Sequence, residues 1–366
     1  MSNVKRIVLT GGPCAGKTTA LVRIVDHFSN LGFKVFTVPE VPTMYTQGGW
    51  SYLTPNHDLY YQGELAILET QLALEDSFMR LAETCQKPAF VVCDRGTMDI
   101  SAYISPEMWH ELCQHCGTEP NQLRNRYDAV LHLVSAADGA EQYYTLATNA
   151  SRYEQADEEG LQLARDLDKK VNRAWTGHPH LRVINNHDDF EAKMNRVLSD
   201  ISNVLGIPQP IEDERTYIVE LTGELPECIE SEIAQTYLVS DPDCIIRLRR
   251  RSWQGGEVVN IHKTRKQISP TEVLETERQV SNALYESLLQ QADPYRTTIR
   301  KTRRSFIWKG QYFELDQFHA PLSDLIILAV KGVTPQESVH FPPFLRIVKD
   351  IGGNQQYYNY NLALQR

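Results

Sequence analysis

The sequence predicts a chain of two unlike parts: an α/β part on a parallel sheet with helices on both faces, then an α+β part on an antiparallel β-barrel. Three observations predict it. Over residues 1–206 short apolar runs alternate with longer helical patterns, the rhythm of strand–helix–strand units. The stretch GIPQPIEDER then interrupts that rhythm with Pro208, Pro210 and a polar cluster, the composition of a linker. Beyond it the runs are short and β-like, and several carry charges on alternate residues, which a strand gathers on one face. The expected division is a domain over 1–206, a linker over 207–214 and a second domain over 215–366.

In the first part, strands are expected over 4–10, 34–38, 89–93, 129–134 and 181–184, each a mainly apolar run of the kind that parallel sheets bury on both faces. Helical patterns begin at Lys17 and run over about 59–85, 154–175 and 188–205. In the second part, strands are expected over 217–221, 233–239, 244–251, 258–266, 296–308, 311–318 and 325–330, with one long helix over about 269–291. Arg247, Arg249 and Arg251 share one strand face, as do Lys301 with Arg303 and Glu314 with Asp316. In a single strand such a face can be the wet side of a half-buried sheet. Repeated over several strands, it points to a closed barrel with charge in its lumen.

The 366 residues include 37 Lys and Arg against 47 Asp and Glu, a formal net charge of −10. No apolar run approaches the ~18 residues that a membrane helix needs, so no transmembrane segment is expected. The amino terminus, MSNVKRIVLTGG, runs straight into a glycine-rich turn without the apolar region of an export signal. Seven scattered cysteines suit free thiols better than a disulfide framework. A cytoplasmic protein is expected, at most peripheral at membranes. The acidic total argues against DNA as a partner, yet it conceals an asymmetry. From Ser240 to Lys309 there are 14 basic and 8 acidic residues, a local +6 that leaves −16 for the rest. That excess marks a candidate anion site.

The strongest motif is Gly11-Gly12-Pro13-Cys14-Ala15-Gly16-Lys17-Thr18, followed by Thr19. It fills the pattern Gly-x-x-x-x-Gly-Lys-Ser/Thr between an expected strand and an expected helix. Its glycines let backbone N–H groups converge on phosphate, Lys17 reaches the β and γ phosphates, and the Thr18 hydroxyl ligates Mg²⁺. A bound ATP or GTP with Mg²⁺ is the expected cofactor. Asp94, in Val91-Val92-Cys93-Asp94-Arg95-Gly96, ends a strand and is a second candidate metal ligand. Glu40, in Val38-Pro39-Glu40, is either a catalytic base or a surface loop carboxylate. Arg152, in Asn149-Ala150-Ser151-Arg152-Tyr153-Glu154, is either a lid arginine over transferring phosphate or an ordinary surface arginine. Lys17, Asp94, Glu40 and Arg152 form the candidate catalytic set.

On GGPCAGKT, VCDRG, NASRYE and RAWTGHPHLRVINN, residues 3–205 resemble the nicotinamide riboside kinase-like AAA ATPase domain that also occurs in the TRPL translocation defect protein-like family. The resemblance implies a P-loop fold, a catalytic carboxylate at Glu40 and an acidic–Arg pair at Asp94-Arg95. From about residue 215 the chain resembles a CYTH, or triphosphate tunnel, domain, on IAQTYL (233–238), IRLR (246–249), Thr264-Arg265-Lys266, Glu275-Thr276-Glu277-Arg278, Lys301-Thr302-Arg303 and Glu314-Leu315-Asp316. It implies a polyphosphate held by inward Arg247, Arg249, Lys266, Arg278, Lys301 and Arg303, and a divalent metal held by Glu275, Glu277, Glu314 and Asp316. Guanidinium groups grip phosphate bidentately, which suits such a ligand.

Hydrolytic members of that family open with alternating glutamates and carry two more on the last tunnel strand. Here the first strand reads Arg215-Thr216-Tyr217-Ile218-Val219-Glu220-Leu221 and the last holds Ala329 and Lys331. Fewer oxygen ligands weaken a hard-cation site, so this part is expected to bind a phosphorylated anion, with a phosphoinositide or phosphatidic acid headgroup among the candidates, rather than to cleave one. The expected function is ATP or GTP binding, with slow hydrolysis, coupled to a barrel that holds a phosphate-rich ligand. A small-molecule kinase using Glu40, and a metal-dependent tunnel triphosphatase, are the alternatives. Cys113 and Cys116 near His110 have zinc-like spacing but no second pair. Tyr357, Tyr358 and Tyr360 are expected to pack rather than to stack on a ligand.

Overall fold

The computed structural model describes residues 4–144, 158–207, 209–210, 215–253, 256, 258–269, 272–309, 311–331 and 338–365. Two compact units divide the chain, Met1–Leu198 and Ser199–Arg366.

The first unit holds β1 (Lys5–Thr10), α1 (Lys17–Asn30), β2 (Lys34–Val38), α2 (Val41–Gln47), α3 (His57–Glu83), β3 (Ala89–Asp94), α4 (Pro106–His115), α5 (Pro120–Arg124), β4 (Ala129–Leu133), α6 (Glu158–Trp175), β5 (Leu181–Ile184) and most of α7 (Phe190–Leu205). Its strands form one parallel sheet in the order β2-β3-β1-β4-β5. β1 and β4 are buried along their whole length, which is why the sequence shows continuous apolar runs there rather than alternation. Because these strands all run parallel, the loops after β1, β2, β3 and β4 open at the same sheet edge, where ligands bind in such folds.

The second unit holds β6 (Gln209–Pro210), β7 (Arg215–Leu221), β8 (Ile229–Leu238), β9 (Cys244–Ser252), β10 (Val258–Ser269), β11 (Glu272–Val280), α8 (Asn282–Leu289), β12 (Ile299–Trp308), β13 (Gln311–Phe318), β14 (Ile326–Lys331), β15 (Leu345–Asp350) and α9 (Asn359–Leu362). The ten strands pair antiparallel in the order β15-β7-β14-β13-β12-β8-β9-β10-β11-β6. The architecture is therefore a parallel α/β part followed by an antiparallel sheet.

Two expectations change. Residues 272–280 form β11, not the start of a long helix; only α8 is helical there, with Ser281 accepting the Leu284 N–H as its cap. Pairing decides this, because β11 sets Glu275 and Glu277 opposite Arg265 and Lys263 of β10, cross-strand partners that a helix would forfeit. Within the expected linker, Gln209 and Pro210 pair with the edge of β11, a place where the missing N–H of proline is tolerated.

Alternation gives the antiparallel sheet two different faces. One packs Phe306, Phe313, Leu315 and Leu328, and separately Leu238 and Leu248 against Tyr285 of α8. The other gathers its apolar clusters near its two ends. One end has Trp253, Val259 and Ile261. The opposite end has Tyr237, Ile299, Phe318 and Ile327, with Tyr357 and Tyr360 packed against them. Tyr360 meets Tyr237 edge-on at 5.1 Å and lies 3.6 Å from the Arg296 guanidinium, the packing role expected of it and of Tyr357, whereas Tyr358 is exposed.

Candidate functional site

The phosphate loop is folded by close contacts that only its own residues permit. Gly11 has φ +139°, and a Cβ there would fall 2.0 Å from the Leu133 carbonyl oxygen, so no larger residue fits. The loop's carbonyls are tied inward. Lys17 Nζ donates to Gly11 O at 2.8 Å and Gly12 O at 3.0 Å, Ser135 Oγ to Pro13 O, and Lys193 Nζ to Ala15 O at 3.2 Å. Asp168 Oδ1 accepts the Gly12 N–H at 2.7 Å and its other oxygen meets His132. These contacts fix the loop's backbone from both sides. Pro13, Cys14, Ala15, Gly16, Lys17, Thr18 and Thr19 all line one cleft. Burial and the nearby Arg95 push the Lys17 ammonium down to about 8, the response of a cation waiting for an opposite charge.

The same cleft gathers Glu40 and Asp94. Arg95, whose φ of +70° marks a non-glycine residue held in the left-handed region, forms an ion pair with Glu40. Thr43 Oγ1 donates to the other Glu40 oxygen at 2.8 Å. Burial alone would raise the Glu40 carboxyl, but Arg95, Lys17 and Thr43 hold it near 2, so Glu40 is a firmly ionised member of a pair and a weak base. Asp94 is shifted the other way, upward by burial, and its buried Oδ1 has no hydrogen-bond partner. An orphaned carboxylate oxygen at the end of β3, with the Thr18 hydroxyl in the same cleft, fits a hard cation. Mg²⁺ binds through one or two protein oxygens plus phosphate rather than a protein cage. Among the described residues no group of three or more His, Cys, Asp or Glu could hold a metal alone, and Cys113 and Cys116 are free thiols. Arg152 lies outside the described residues.

The structure also shows a wall of this cleft that motif reading missed. Trp50, Tyr52, Tyr60, Glu64 and Tyr103 line it beside Arg95. They come from the α2–α3 connection, the first turns of α3 and the segment after β3. No local motif joins them, and only the spacing of Tyr60 and Glu64 on one helix face could have hinted at them.

In the second unit, register assembles the cations. Arg247, Arg249 and Arg251 of β9 lie opposite Lys263, Ile261 and Val259 of β10, and opposite Tyr237, Gln235 and Ile233 of β8. Continuing across the sheet, Arg303 aligns with Ser231 and Asp316, and Lys263 and Arg265 align with Glu277 and Glu275. One face therefore collects Arg247, Arg249, Arg251, Lys263, Arg265, Lys301, Arg303 and Lys331 with Glu275, Glu277, Glu314 and Asp316. Lys266 is not brought to it: it lies at the opposite parity of β10, exposed and 3.9 Å from Asp243. Arg278 pairs through its backbone with His262, and its side chain lies outside the described residues. Lys263 and Arg265 take the place expected of Lys266.

The carboxylates on this face are neutralised by cations. Asp316 takes a bidentate pair of hydrogen bonds from Arg303, both 2.7 Å, and a third bond from Lys301. Glu314 faces Arg303 at 2.6 Å and Lys331 at 3.9 Å. Glu275 pairs with Lys263 and Arg265, and Glu277 lies 4.0 Å from Arg247. Each carboxylate of the expected metal-ligand set, Glu275, Glu277, Glu314 and Asp316, thus faces at least one cation of the same sheet face. Arg249 reaches only the Gln235 amide oxygen at 3.3 Å. Arg251, 1% exposed, donates to Ser231 at 3.0 Å and keeps Nη2 without a partner. Among the described residues neither has a carboxylate within ion-pair distance. Burial and the like charges of Arg247 and Arg303 drive Arg249 well below its ordinary value.

The first unit, with its phosphate loop on a parallel sheet edge and a carboxylate on the adjacent strand end, has the form of the P-loop ATPase-like class. The chain belongs to the family described as AAA domain, whose model matches residues 6–193, more than half of its length. No curated protein matches the sequence. Two solved structures are similar to the chain, one described as the hypothetical protein NE1496 and the other as the inorganic triphosphatase NE1496. Each is 25% identical with a TM-score of 0.33 and covers 43% of this chain; the match spans 99% and 97% of the respective neighbour. No helix among the described residues is long and apolar enough to cross a membrane.

Proposed function

We propose that the chain is a nucleotide-binding protein with two phosphate sites. Its P-loop holds the triphosphate of ATP or GTP with Mg²⁺, through Gly11–Thr19, Lys17, Thr18 and Asp94, and its antiparallel sheet holds a phosphate-rich anion on Arg247, Arg249, Arg251, Lys301 and Arg303. The observation that carries the first site is the meeting of Lys17, Thr18 and the orphaned Asp94 oxygen in one cleft. The second rests on the buried Arg251 and the half-buried Arg249, neither of which has a carboxylate within ion-pair distance among the described residues, since such groups need an anion to offset their desolvation. Tunnel hydrolysis has less support, because Glu314 and Asp316 are each held by two cations. The domain reading is 1–206 and 215–366, and the finer family reading is the TRPL translocation defect protein-like one, both carried from the motifs and their order. With seven free cysteines, the reading places the protein in the cytosol, peripheral to membranes where its anion is a lipid headgroup.

A thermal melt tests both sites. Mg-ATP or Mg-GTP should raise the midpoint of the wild type and not that of Lys17→Ala. Tripolyphosphate should stabilise Lys17→Ala but not Arg251→Met; flotation with phosphatidic acid vesicles separates a lipid source from a free one. A melt that no nucleotide moves would remove the first site. A second reading, phosphoryl transfer to a small hydroxylated acceptor, is favoured by the extent of the cleft. An acceptor screen with ATP decides it, with turnover that depends on Glu40 in its favour and acceptor-independent hydrolysis against it.

A further inference from the structure

The first turn of α7 packs against the phosphate loop through two residues three apart on one helix face, Phe190 and Lys193. A Cβ on Gly16 would meet the Phe190 ring at 3.1 Å, so the helix lies on the loop itself. Lys193 is 3% exposed, and each of the three donors of its ammonium has an acceptor. These are Ala15 O at 3.2 Å, Val134 O at 2.8 Å and Asn186 Oδ1 at 2.6 Å. One ammonium therefore joins the phosphate loop, the segment after β4 and the segment after β5. Asn186 extends the tie, donating to Ser135 O at 2.8 Å and Asp138 O at 2.7 Å.

The bond to Ala15 O completes a row of three. Ser135 Oγ donates to Pro13 O, the Ala136 N–H to Cys14 O at 3.3 Å, and Lys193, itself seated on Val134 O, to Ala15 O. Three consecutive loop carbonyls are thus held at the end of β4. In a planar trans peptide the next N–H points opposite to the C=O. The amides of Cys14, Ala15 and Gly16 are therefore turned away from these anchors, and the same three residues line the cleft.

Charge sets Lys193 apart from the other two anchors. Its hydrogen-bond acceptors are all neutral oxygens, and among the described residues it has no carboxylate within ion-pair distance. Asp168, which attracts it from farther off, is already engaged by the Gly12 N–H and His132, while Lys17 and Arg196 bring like charge. A buried cation in such surroundings is unfavourable until an anion comes near.

We infer that Lys193 is a positioning residue of the phosphate site. Its ammonium ties the loop to the ends of β4 and β5, keeps the Gly16 N–H turned from the anchors, and contributes a buried positive charge that the bound phosphate offsets. With all three donors engaged, it acts through the loop and not by contact with the ligand. The inference rests on the P-loop reading for the identity of the anion.

Removing the ammonium in two ways tests it. Lys193→Met keeps the stem and loses the charge. Lys193→Ala also leaves a hollow at the cleft wall, lined by Ala15 O, Val134 O and Asn186 Oδ1, where an ammonium or methylammonium ion can replace the lost group. Calorimetric titrations with Mg-ATP and Mg-GTP are run at one ionic strength, set with tetramethylammonium, methylammonium or ammonium chloride. In tetramethylammonium chloride both variants should bind nucleotide about tenfold or more weaker than wild type. Ammonium or methylammonium should return Lys193→Ala to within about threefold of wild type and should leave Lys193→Met unchanged, a rescue that a merely structural role would not show. Melts without nucleotide verify folding, and Lys193→Met decides alone if Lys193→Ala does not fold. Wild-type affinity in Lys193→Met, or a weakened Lys193→Ala that neither ion restores, would overturn the inference. A wild type that binds neither nucleotide would strike the P-loop reading instead.

Discussion

Asp168 Oδ1 accepts the Gly12 N–H at 2.7 Å, so α6 anchors the phosphate loop from more than 150 residues away. Burial by itself would raise this carboxyl, but His132, Gly12 and Lys17 together hold it below its ordinary value. Asp168→Ala should strand a buried amide and a buried imidazole, each costing about 1–3 kcal/mol, and lower the melting midpoint by roughly 2–4 °C per kcal/mol. Asp168→Asn keeps an oxygen for Gly12 and should lose less. Equal melts and equal nucleotide titrations for wild type and Asp168→Ala would refute the anchoring role.

How far such a contact is legible depends on what makes it. GGPCAGKT could be read outright because its spacing is its mechanism, and Glu40 and Asp94 followed from parallel strands ending at one edge. Asp168, Trp50 and Glu64 carry no local pattern, since their places in the cleft are set by how α3 and α6 pack. In Lys263-Thr264-Arg265-Lys266 cations occupy both parities, and only the pairing of β10 with β9 decides that Lys263 and Arg265 face Arg247 while Lys266 faces away. The glutamates of β11 likewise fit a helix as well as a strand until Arg265 and Lys263 lie opposite them.

Gly63 is predicted to resist even alanine. In an ordinary helix interior Gly→Ala stabilises by about 1 kcal/mol. A Cβ on Gly63, inside α3, would fall 2.1 Å from the Trp50 ring, and forcing such a ring aside costs about 1–3 kcal/mol. Gly63→Ala should therefore be net destabilising and should shift Trp50 emission to the red as the indole is displaced. A more stable variant with unchanged emission would show that the wall is not built on this contact.

Asp316 is the hub of the cationic face, and removing its charge should be expensive. Arg303 and Lys301 hold its carboxyl well below the usual range despite burial, so the stability it contributes is present above about pH 4 and is lost as the pH falls toward its depressed folded value. Asp316→Asn leaves the buried Lys301 without its counter-ion and Arg303 with Glu314 alone, a change of about 3–5 kcal/mol. Tripolyphosphate should restore part of that loss by supplying negative charge to the same face. Denaturant melts of the variant with and without the anion measure both effects, and a variant as stable as wild type would show that Asp316 is not the hub.

Lys17 should make nucleotide binding a proton-linked event near pH 8. Its ammonium is lowered to about 8 in the free protein, by burial first and by Arg95 second. A bound triphosphate favours the charged form, so the complex holds the proton to higher pH than the free site does. Above pH 8 binding must then take up a proton, and affinity should fall by up to about tenfold per pH unit; below pH 7 the lysine is already charged and the dependence should flatten. The terminal phosphate ionises near pH 6, so uptake between pH 8 and 9 belongs to the protein. Calorimetry of Mg-ATP binding at pH 7, 8 and 9, in two buffers of different ionisation heat, reads the uptake directly. It should approach one proton at pH 9 and vanish at pH 7. Lys17→Arg, charged throughout, should bind more weakly but without the slope, and a wild-type affinity that stays level from pH 7 to 9 would show that Lys17 does not titrate on binding.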